Sequence, residues 1–222
     1  MIVGGLFVLA TVASLLSTSL TSSTTSSDYL SSVAANANQV KVGAVLELVG
    51  AGAVALIPAF LFPILRRHDE RLALGYLALR ILEAFVMVLG VVSTLLLVTL
   101  SQRYVGASNP ADPSFATAGA ILQGFGNWAF VLDPLVFGTG ALLFYYLLFR
   151  ARLVPRWLSA WGLLGAILVL TAALIGMFGA FPYVLAVPIA IQEMALAAWL
   201  ILKGFRSSDA GATTASAGGA NS

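Results

Sequence analysis

Long apolar stretches alternate with short polar ones along the whole chain. A bilayer core is about 30 Å thick, so a helix needs roughly 20 apolar residues to cross it. Six stretches reach that length, and none alternates polar with apolar residues as a barrel strand does. Only helices or closed barrels satisfy their backbone in lipid, so each stretch predicts a transmembrane helix. The predicted helices cover residues 2–20, 42–65, 76–100, 128–149, 157–178 and 183–202.

Polar segments separate these helices. Residues 21–39 are rich in Ser, Thr and Asn, and residues 101–127 contain the turn string Ser108 to Pro113. The weakly apolar remainder of this second segment fits either a helix along the membrane interface or a longer fourth span. Residues 207–222 are rich in Ala, Gly, Ser and Thr and predict a disordered cytoplasmic tail. Residues 1–206 are therefore predicted to form one six-helix transmembrane domain.

Basic residues gather in alternate loops. Eight of them follow the second, fourth and sixth predicted helices, and only Lys41 and Arg103 lie on the other side. Cytoplasmic loops of membrane proteins carry an excess of Lys and Arg, so this bias places the eight in the cytoplasm. An even helix count then places both termini there. The eight topology-determining residues are Arg66, Arg67, Arg71, Arg150, Arg152, Arg156, Lys203 and Arg206.

The first apolar segment has a second interpretation. It is short and is followed by Ser and Thr, as a cleaved signal peptide can be. It lacks a basic region at its start and a clear small-residue cleavage site, which favours a retained helix. Both interpretations leave the other five helices in the same orientation.

Composition agrees with a protein whose solvent is lipid. Hydrophobic residues make up 60% and charged residues 9% of the chain, and the mean hydropathy is +0.99. Soluble domains carry roughly 25% charged residues. We therefore expect a multi-pass protein of the cytoplasmic membrane, with the lipid bilayer as its main partner. The net charge of +2 is small, and the basic residues lie in short loops and not in one patch, which argues against nucleic acid as a partner.

Five ionisable residues lie inside predicted helices, where each charge costs about 2.5–3.5 kcal/mol at the bilayer centre. Arg80 and Glu83 are three residues apart and can form an intrahelical ion pair. Glu47 can reach the outer interface by snorkelling, and Asp133 precedes Pro134, where it could repair the interrupted helix backbone. These four residues and Glu193 form the predicted intramembrane polar cluster.

Glu193 is the hardest of these to explain, because it lies about ten residues from either end of its predicted helix, beside Gln192. It is either a buried structural acid, bonded across helices or to Arg80, or a carboxyl group that lines a polar cavity. Four acids and one arginine would give the interior a charge of about −3 if all were ionised. We therefore expect at least one acid, Glu193 first, to be protonated at neutral pH or to face water.

Several chemistries are excluded by residue type. The chain has no Cys, and His68, its only histidine, lies in a cytoplasmic loop. Paired haem ligands, a histidine zinc site and an intramembrane serine protease all need histidines within the helices. An aspartyl protease dyad needs a second intramembrane Asp beside Asp133, and a retinal site needs a lysine in the middle of a helix. The sequence offers neither. We therefore expect no metal, no cofactor and no enzymatic activity.

Several strings in order resemble one bacterial membrane family, catalogued as domain of unknown function 4386. They begin with Leu61-Phe62-Pro63 leading into Arg66-Arg67-His68, followed by Arg80 and Glu83 within Gly75–Glu83. The loop from Tyr146 to Leu158 and the C-terminal Glu193, Trp199-Leu200 and Lys203-Gly204-Phe205 complete the resemblance, which spans roughly residues 4–205. The resemblance implies a six-helix multi-pass fold and no assigned activity.

The sequence thus predicts an all-α, non-enzymatic membrane protein of unknown molecular function. Two other functions stay open. One is a transporter of a small solute or protons that uses Glu193, Glu83 and Arg80, with Pro58, Pro134 and Pro188 as sites of helix breaks. The other is an accessory or sensory subunit that packs against a partner helix or a second copy of itself.

Overall fold

The computed structural model describes residues 1–205, and within that range all regular structure is helical. Six helices are long and apolar enough to cross a membrane, which confirms the predicted number and class. Arg206 and the predicted tail at 207–222 lie outside the described residues. The helices are α1 (Ile2–Leu20), α2 (Tyr29–Ala35), α3 (Ala37–Leu65), α4 (Glu70–Val105), α5 (Pro113–Ala151), α6 (Arg156–Phe178) and α7 (Val187–Leu202).

The fourth span is longer than its hydropathy indicated. α5 runs without a break from Pro113 to Ala151, so the weakly apolar segment extends the helix and does not form a separate interfacial one. The Asp112 side chain accepts a hydrogen bond from the Ser114 amide at 2.8 Å, and Pro113 occupies the first turn. Both features are typical of a helix start. Hydropathy identifies the part of a helix that can lie in lipid, whereas capping residues identify where the helix begins and ends.

The last spanning helix is the shortest. α7 has 16 residues and is about 24 Å long. A non-helical link at 179–182 and a 3₁₀ turn at Tyr183–Leu185 precede it. Pro188 lies in the first turn of α7, where a missing N–H breaks no helical hydrogen bond. The predicted span at 183–202 is therefore a turn followed by a helix.

The six spanning helices form a closed ring. Each packs against the next along the chain, and α7 packs against α1. Gly4 of α1 lies directly against the backbone of Ala197 and Ile201 in α7, so the two ends of the described chain share one end of the bundle. Small residues allow such close approach in membranes, where packing replaces the hydrophobic effect as the force between helices.

Apolar side chains cover the outside of the ring. Leu15, Phe85, Leu164 and Ile191 are each more than half exposed, and they lie on four different spanning helices. A soluble protein rarely exposes so continuous an apolar surface. These faces are suited to contact with lipid, and the ring interior is where polar side chains can find one another.

Two helices are much longer than the others in the described chain. α4 and α5 contain 36 and 39 residues, or about 54 and 58 Å. Their extra length lies at the end opposite the Arg-rich loops, where α2 packs beside α4. There Gln123 of α5 donates a hydrogen bond to the Thr24 carbonyl at 2.8 Å. The chain between α1 and α3 is thus folded onto the projecting ends of α4 and α5.

Candidate functional site

Arg80 and Glu83 form a buried ion pair inside the ring. They lie one turn apart on α4, and Nη1 of Arg80 is 3.1 Å from both carboxylate oxygens of Glu83. Each residue is only 4% exposed. Such a pair is the one that the three-residue spacing predicted. It neutralises one acid at the cost of removing two charged groups from water.

The guanidinium group of Arg80 has a second contact and a buried donor without a partner. Its carbon lies 5.4 Å from the centre of the Phe137 ring on α5, within the range of a cation–π interaction. Its Nε is buried and has no hydrogen-bond partner among residues 1–205. Arg80 therefore offers a donor in the ring interior beyond those used by Glu83.

Two further acids share the same arginine. Glu193 of α7 and Asp133 of α5 both lie close enough to Arg80 for their charges to interact. Glu83 is also within range of both acids. Glu83 is therefore the acid that is bonded to Arg80, and Asp133 and Glu193 interact with the same cation at longer range.

Glu47 lies at the edge of this cluster. It is partly buried on α3, and the Ser14 hydroxyl of α1 donates to its Oε1 at 3.4 Å, with Ser17 also close. The sequence suggested snorkelling to interfacial water for this acid. In the structure, serine hydroxyl groups of the neighbouring helix α1 lie beside the Glu47 carboxyl group. Ser14 and Ser17 are three residues apart in an apolar segment, and that spacing was the signal that could have identified them.

Asp133 is not paired with the backbone that Pro134 interrupts. Its Oδ1 is buried and has no hydrogen-bond partner among the described residues. Pro134 frees a carbonyl group four residues earlier, which only accepts hydrogen bonds. An ionised carboxylate also only accepts and cannot satisfy that carbonyl, whereas a protonated carboxyl group could donate to it. The structure therefore leaves Asp133 available to the Arg80 cluster and gives no support to the repair hypothesis.

Glu193 lies next to a residue that is bonded to the first turn of α6. The side-chain amide of the adjacent Gln192 donates to the Leu158 carbonyl at 3.1 Å, and Leu158 is the third residue of α6. Glu193 itself is partly buried and is close enough to interact with Tyr76 and Tyr145. These two tyrosines were missed in the sequence, because only the packing of helices shows which aromatic residues face the cluster.

The Arg-rich end of the bundle is built from the loops that the sequence singled out. The Arg150 side chain lies 3.6 Å from the Asp69 carboxylate and so connects the α3–α4 and α5–α6 loops. Arg152 has a positive φ of 54°, the left-handed conformation that ends α5. The described basic residues at this end are all exposed: Arg66, Arg67, Arg71, Arg150, Arg152, Arg156 and Lys203.

Metal binding is not suggested by the described part of the chain. Within residues 1–205 no group of three or more His, Asp or Glu residues is arranged to hold a metal ion. His68 is exposed in the α3–α4 loop. The chemistry that the interior can offer is therefore that of carboxyl groups, a guanidinium group and hydroxyl groups.

Comparison with known proteins identifies the family but no activity. Neither the curated proteins nor the solved structures contain a match to this chain. The family model described as "Domain of unknown function (DUF4386)" matches residues 2–204, which is nearly the whole of the described chain. The protein is thus a multi-helix membrane protein that belongs to the DUF4386 family.

Proposed function

We propose that this protein is a non-enzymatic protein of the cytoplasmic membrane that carries protons, alone or with a small solute, through the acid cluster around Arg80. The observation that carries the proposal is the buried Arg80–Glu83 pair, with Asp133 and Glu193 of two other helices close enough for their charges to interact with it. Intramembrane acids often mark proton and ion paths.

Charge balance supports the assignment of protons. With Glu47 included, the interior contains four acids and one base, or a charge of about −3 if all were ionised. Such a charge is too costly to remain in a low-dielectric interior without protons or water. The cluster would therefore hold protons at neutral pH, and a group that holds a proton there can also release it.

We place the Arg-rich end of the bundle in the cytoplasm. Seven exposed basic residues lie at that end in the described chain, against Lys41 and Arg103 at the other. This is the distribution of the positive-inside rule. It assigns both termini to the cytoplasm, and Glu193, beside the first turns of α6, to the cytoplasmic half of the ring.

A second candidate is an accessory subunit with no transport activity. The Arg80–Glu83 pair favours it, because two charged groups that are each 4% exposed and bonded to each other can serve structure alone. Under this alternative the acids would fix the rotation of the helices, and a partner helix or a second copy would cover part of the apolar outer face.

Proton flux into proteoliposomes separates the two candidates. Purified protein would be reconstituted with a pH-sensitive dye inside the vesicles, and a pH gradient would be applied. We expect acidification faster than in protein-free vesicles, and a loss of the difference in Glu193→Gln. Glu70→Gln is the matched control, because Glu70 is an exposed carboxyl group at the start of α4. Equal rates for wild type and protein-free vesicles would overturn the proposal and leave the accessory role.

A further inference from the structure

Two loops at the Arg-rich end of the bundle carry most of the exposed positive charge in residues 1–205. Three arginines lie in or beside the α3–α4 loop, and three lie in or beside the α5–α6 turn. Nη1 of Arg150 in the turn is 3.6 Å from the Asp69 carboxylate in the loop, so the two sets lie on one surface. We call this surface the basic rim; its arginines are Arg66, Arg67, Arg71, Arg150, Arg152 and Arg156.

The two ends of the bundle differ in net charge. Among residues 1–205 the Arg-rich end has seven basic side chains and only two acids, Asp69 and Glu70, for a net charge of +5 with His68 neutral. A surface of this kind attracts anions, but salt limits its reach to roughly 8–10 Å. The rim therefore acts on groups that lie directly beside it. The opposite end is neutral, because two basic residues are balanced by two acids: Lys41, Arg103, Asp28 and Asp112.

Aromatic rings indicate the depth of the rim in the membrane. The guanidinium carbon of Arg156 lies 5.4 Å from the centre of the Phe149 ring, and Nζ of Lys203 lies 4.6 Å from that of Trp199. Both distances are within the range of a cation–π interaction. Trp157, directly after Arg156, is 59% exposed at the start of α6. Tryptophans at the ends of spanning helices lie at the level of lipid headgroups, so these cations lie there too.

The α5–α6 turn presents its arginines on a fixed support. Leu153 and Val154 are buried in the main apolar core of the bundle. Arg152 and Arg156, on either side of this buried pair, are exposed. Within residues 1–205 Arg150 is the member of the turn that forms an ion pair. Arg152 and Arg156 are therefore available to an anion from outside the protein.

We propose that the basic rim binds the phosphate groups of anionic lipids, with Arg152 and Arg156 as its principal contacts. A guanidinium group can donate two parallel hydrogen bonds to phosphate oxygens. Basic clusters next to spanning helices attract anionic headgroups. A lipid fits better than a soluble polyanion, because Trp157 and the exposed Leu164 continue from Arg156 along α6. A ligand at Arg156 thus lies at the edge of the bilayer.

Lipid binding goes beyond the proposed function and does not depend on it. It rests on exposed arginines at one end of the bundle, whereas the proposed transport rests on carboxyl groups around Arg80 in the ring interior. A carrier and an accessory subunit would bind the same lipids. A measurement of lipid preference therefore stands or falls independently of the flux measurement.

Native mass spectrometry of the detergent-solubilised protein measures the lipid preference directly. The protein would be released from micelles that contain equal amounts of phosphatidylglycerol and phosphatidylcholine with the same acyl chains. We expect the wild type to retain more of the anionic phosphatidylglycerol. This preference should fall about fivefold for each arginine removed, and so by about 25-fold in Arg152→Gln/Arg156→Gln, which leaves the Arg150–Asp69 pair in place.

Lys41→Gln/Arg103→Gln is the matched control, because it removes two charges from the exposed surface of the opposite end. It should keep the wild-type preference, and Arg152→Lys/Arg156→Lys should keep most of it. Equal retention of the two lipids by the wild type would overturn the proposal. Equal losses in the two Gln variants would do so as well, since net charge alone would then govern binding. A loss in the Lys variant as large as in Arg152→Gln/Arg156→Gln would point to a distorted turn and refute a charge-based site.

Melting temperatures distinguish a lipid from a soluble anion. Added phosphatidylglycerol should raise the melting temperature of the wild type and of Lys41→Gln/Arg103→Gln, because a ligand that binds only the folded state stabilises it. It should not stabilise Arg152→Gln/Arg156→Gln. Inorganic phosphate at the same concentration should have no such effect on the wild type. Equal stabilisation by inorganic phosphate would overturn the assignment of a lipid.

Discussion

Arg80 contacts both carboxylate oxygens of Glu83 through a single nitrogen, Nη1, at 3.1 Å each. One end of the guanidinium group thus neutralises Glu83, while Nε remains available in the ring interior. Because Glu83, Asp133 and Glu193 depend on one cation, the loss of Arg80 should affect all three acids at once.

Removal of Arg80 should therefore destabilise the fold more than removal of both members of the pair. We expect Arg80→Met to lower the free energy of unfolding by about 3–5 kcal/mol, because it leaves a buried, unpaired carboxylate. The double variant Arg80→Met/Glu83→Leu should recover much of that loss. SDS-induced unfolding from mild detergent micelles measures both. A double variant less stable than Arg80→Met would show that the pair is net stabilising in this position.

Membrane orientation can be measured directly, because the chain has no cysteine. Single-cysteine variants Arg67→Cys and Arg103→Cys place one thiol at each end of the bundle, and both positions are exposed. In intact cells a membrane-impermeant maleimide should label Arg103→Cys and not Arg67→Cys, and permeabilisation should make both reactive. Labelling of Arg67→Cys in intact cells would reverse the proposed topology.

The contact between α5 and α6 should tolerate no added side-chain atoms at Gly162. A methyl group there would meet the Tyr145 ring, and Tyr145 is 1% exposed and has no space to retreat. We expect Gly162→Ala to cost about 1–3 kcal/mol of unfolding free energy. Gly52→Ala is the control, since no atom lies within 4 Å of the added carbon. That variant should be neutral or slightly stabilising, because alanine favours a helix over glycine. Equal effects at the two positions would contradict the close contact.

The start of α5 should loosen in acid. The hydrogen bond from the Ser114 amide lowers the pKa of Asp112 below its usual value of 3.8. A folded-state pKa below the unfolded one means that ionised Asp112 stabilises the cap at neutral pH. This contribution falls as the pH drops through the unfolded and then the folded pKa. Hydrogen-exchange protection of the amides after Asp112 should therefore decrease as the pH falls below 3.8, and Asp112→Asn, which caps without ionising, should not show that loss.

Spanning helices and the ion pair could be predicted from the sequence because both are local properties. Twenty apolar residues specify a span whatever surrounds it, and a three-residue spacing places Arg80 beside Glu83 on any helix. The extension of α5 was undecided because its first turns are only weakly apolar. Its start depends on the Asp112 cap rather than on hydropathy.

The contacts between residues of different helices could not be predicted in the same way. Gly162 and Gly165 let α5 and α7 approach α6, against Tyr145 and Ile189 respectively, and Gln192 of α7 thereby reaches the Leu158 carbonyl. Which faces meet depends on the rotation and relative height of three helices, and no residue spacing within one helix contains that information.

Because the helices differ in length, the protein should project further from one membrane surface than from the other. α4 and α5 are about 20 Å or more longer than a 30 Å hydrocarbon core, and they extend past their neighbours at the end opposite the Arg-rich loops. In side views of the protein in a nanodisc, a small helical projection should therefore be visible on one membrane surface and little protein on the other. With the Arg-rich end in the cytoplasm, this projection lies on the extracytoplasmic side. It is then the part of the protein most accessible to an antibody or to an extracytoplasmic protein.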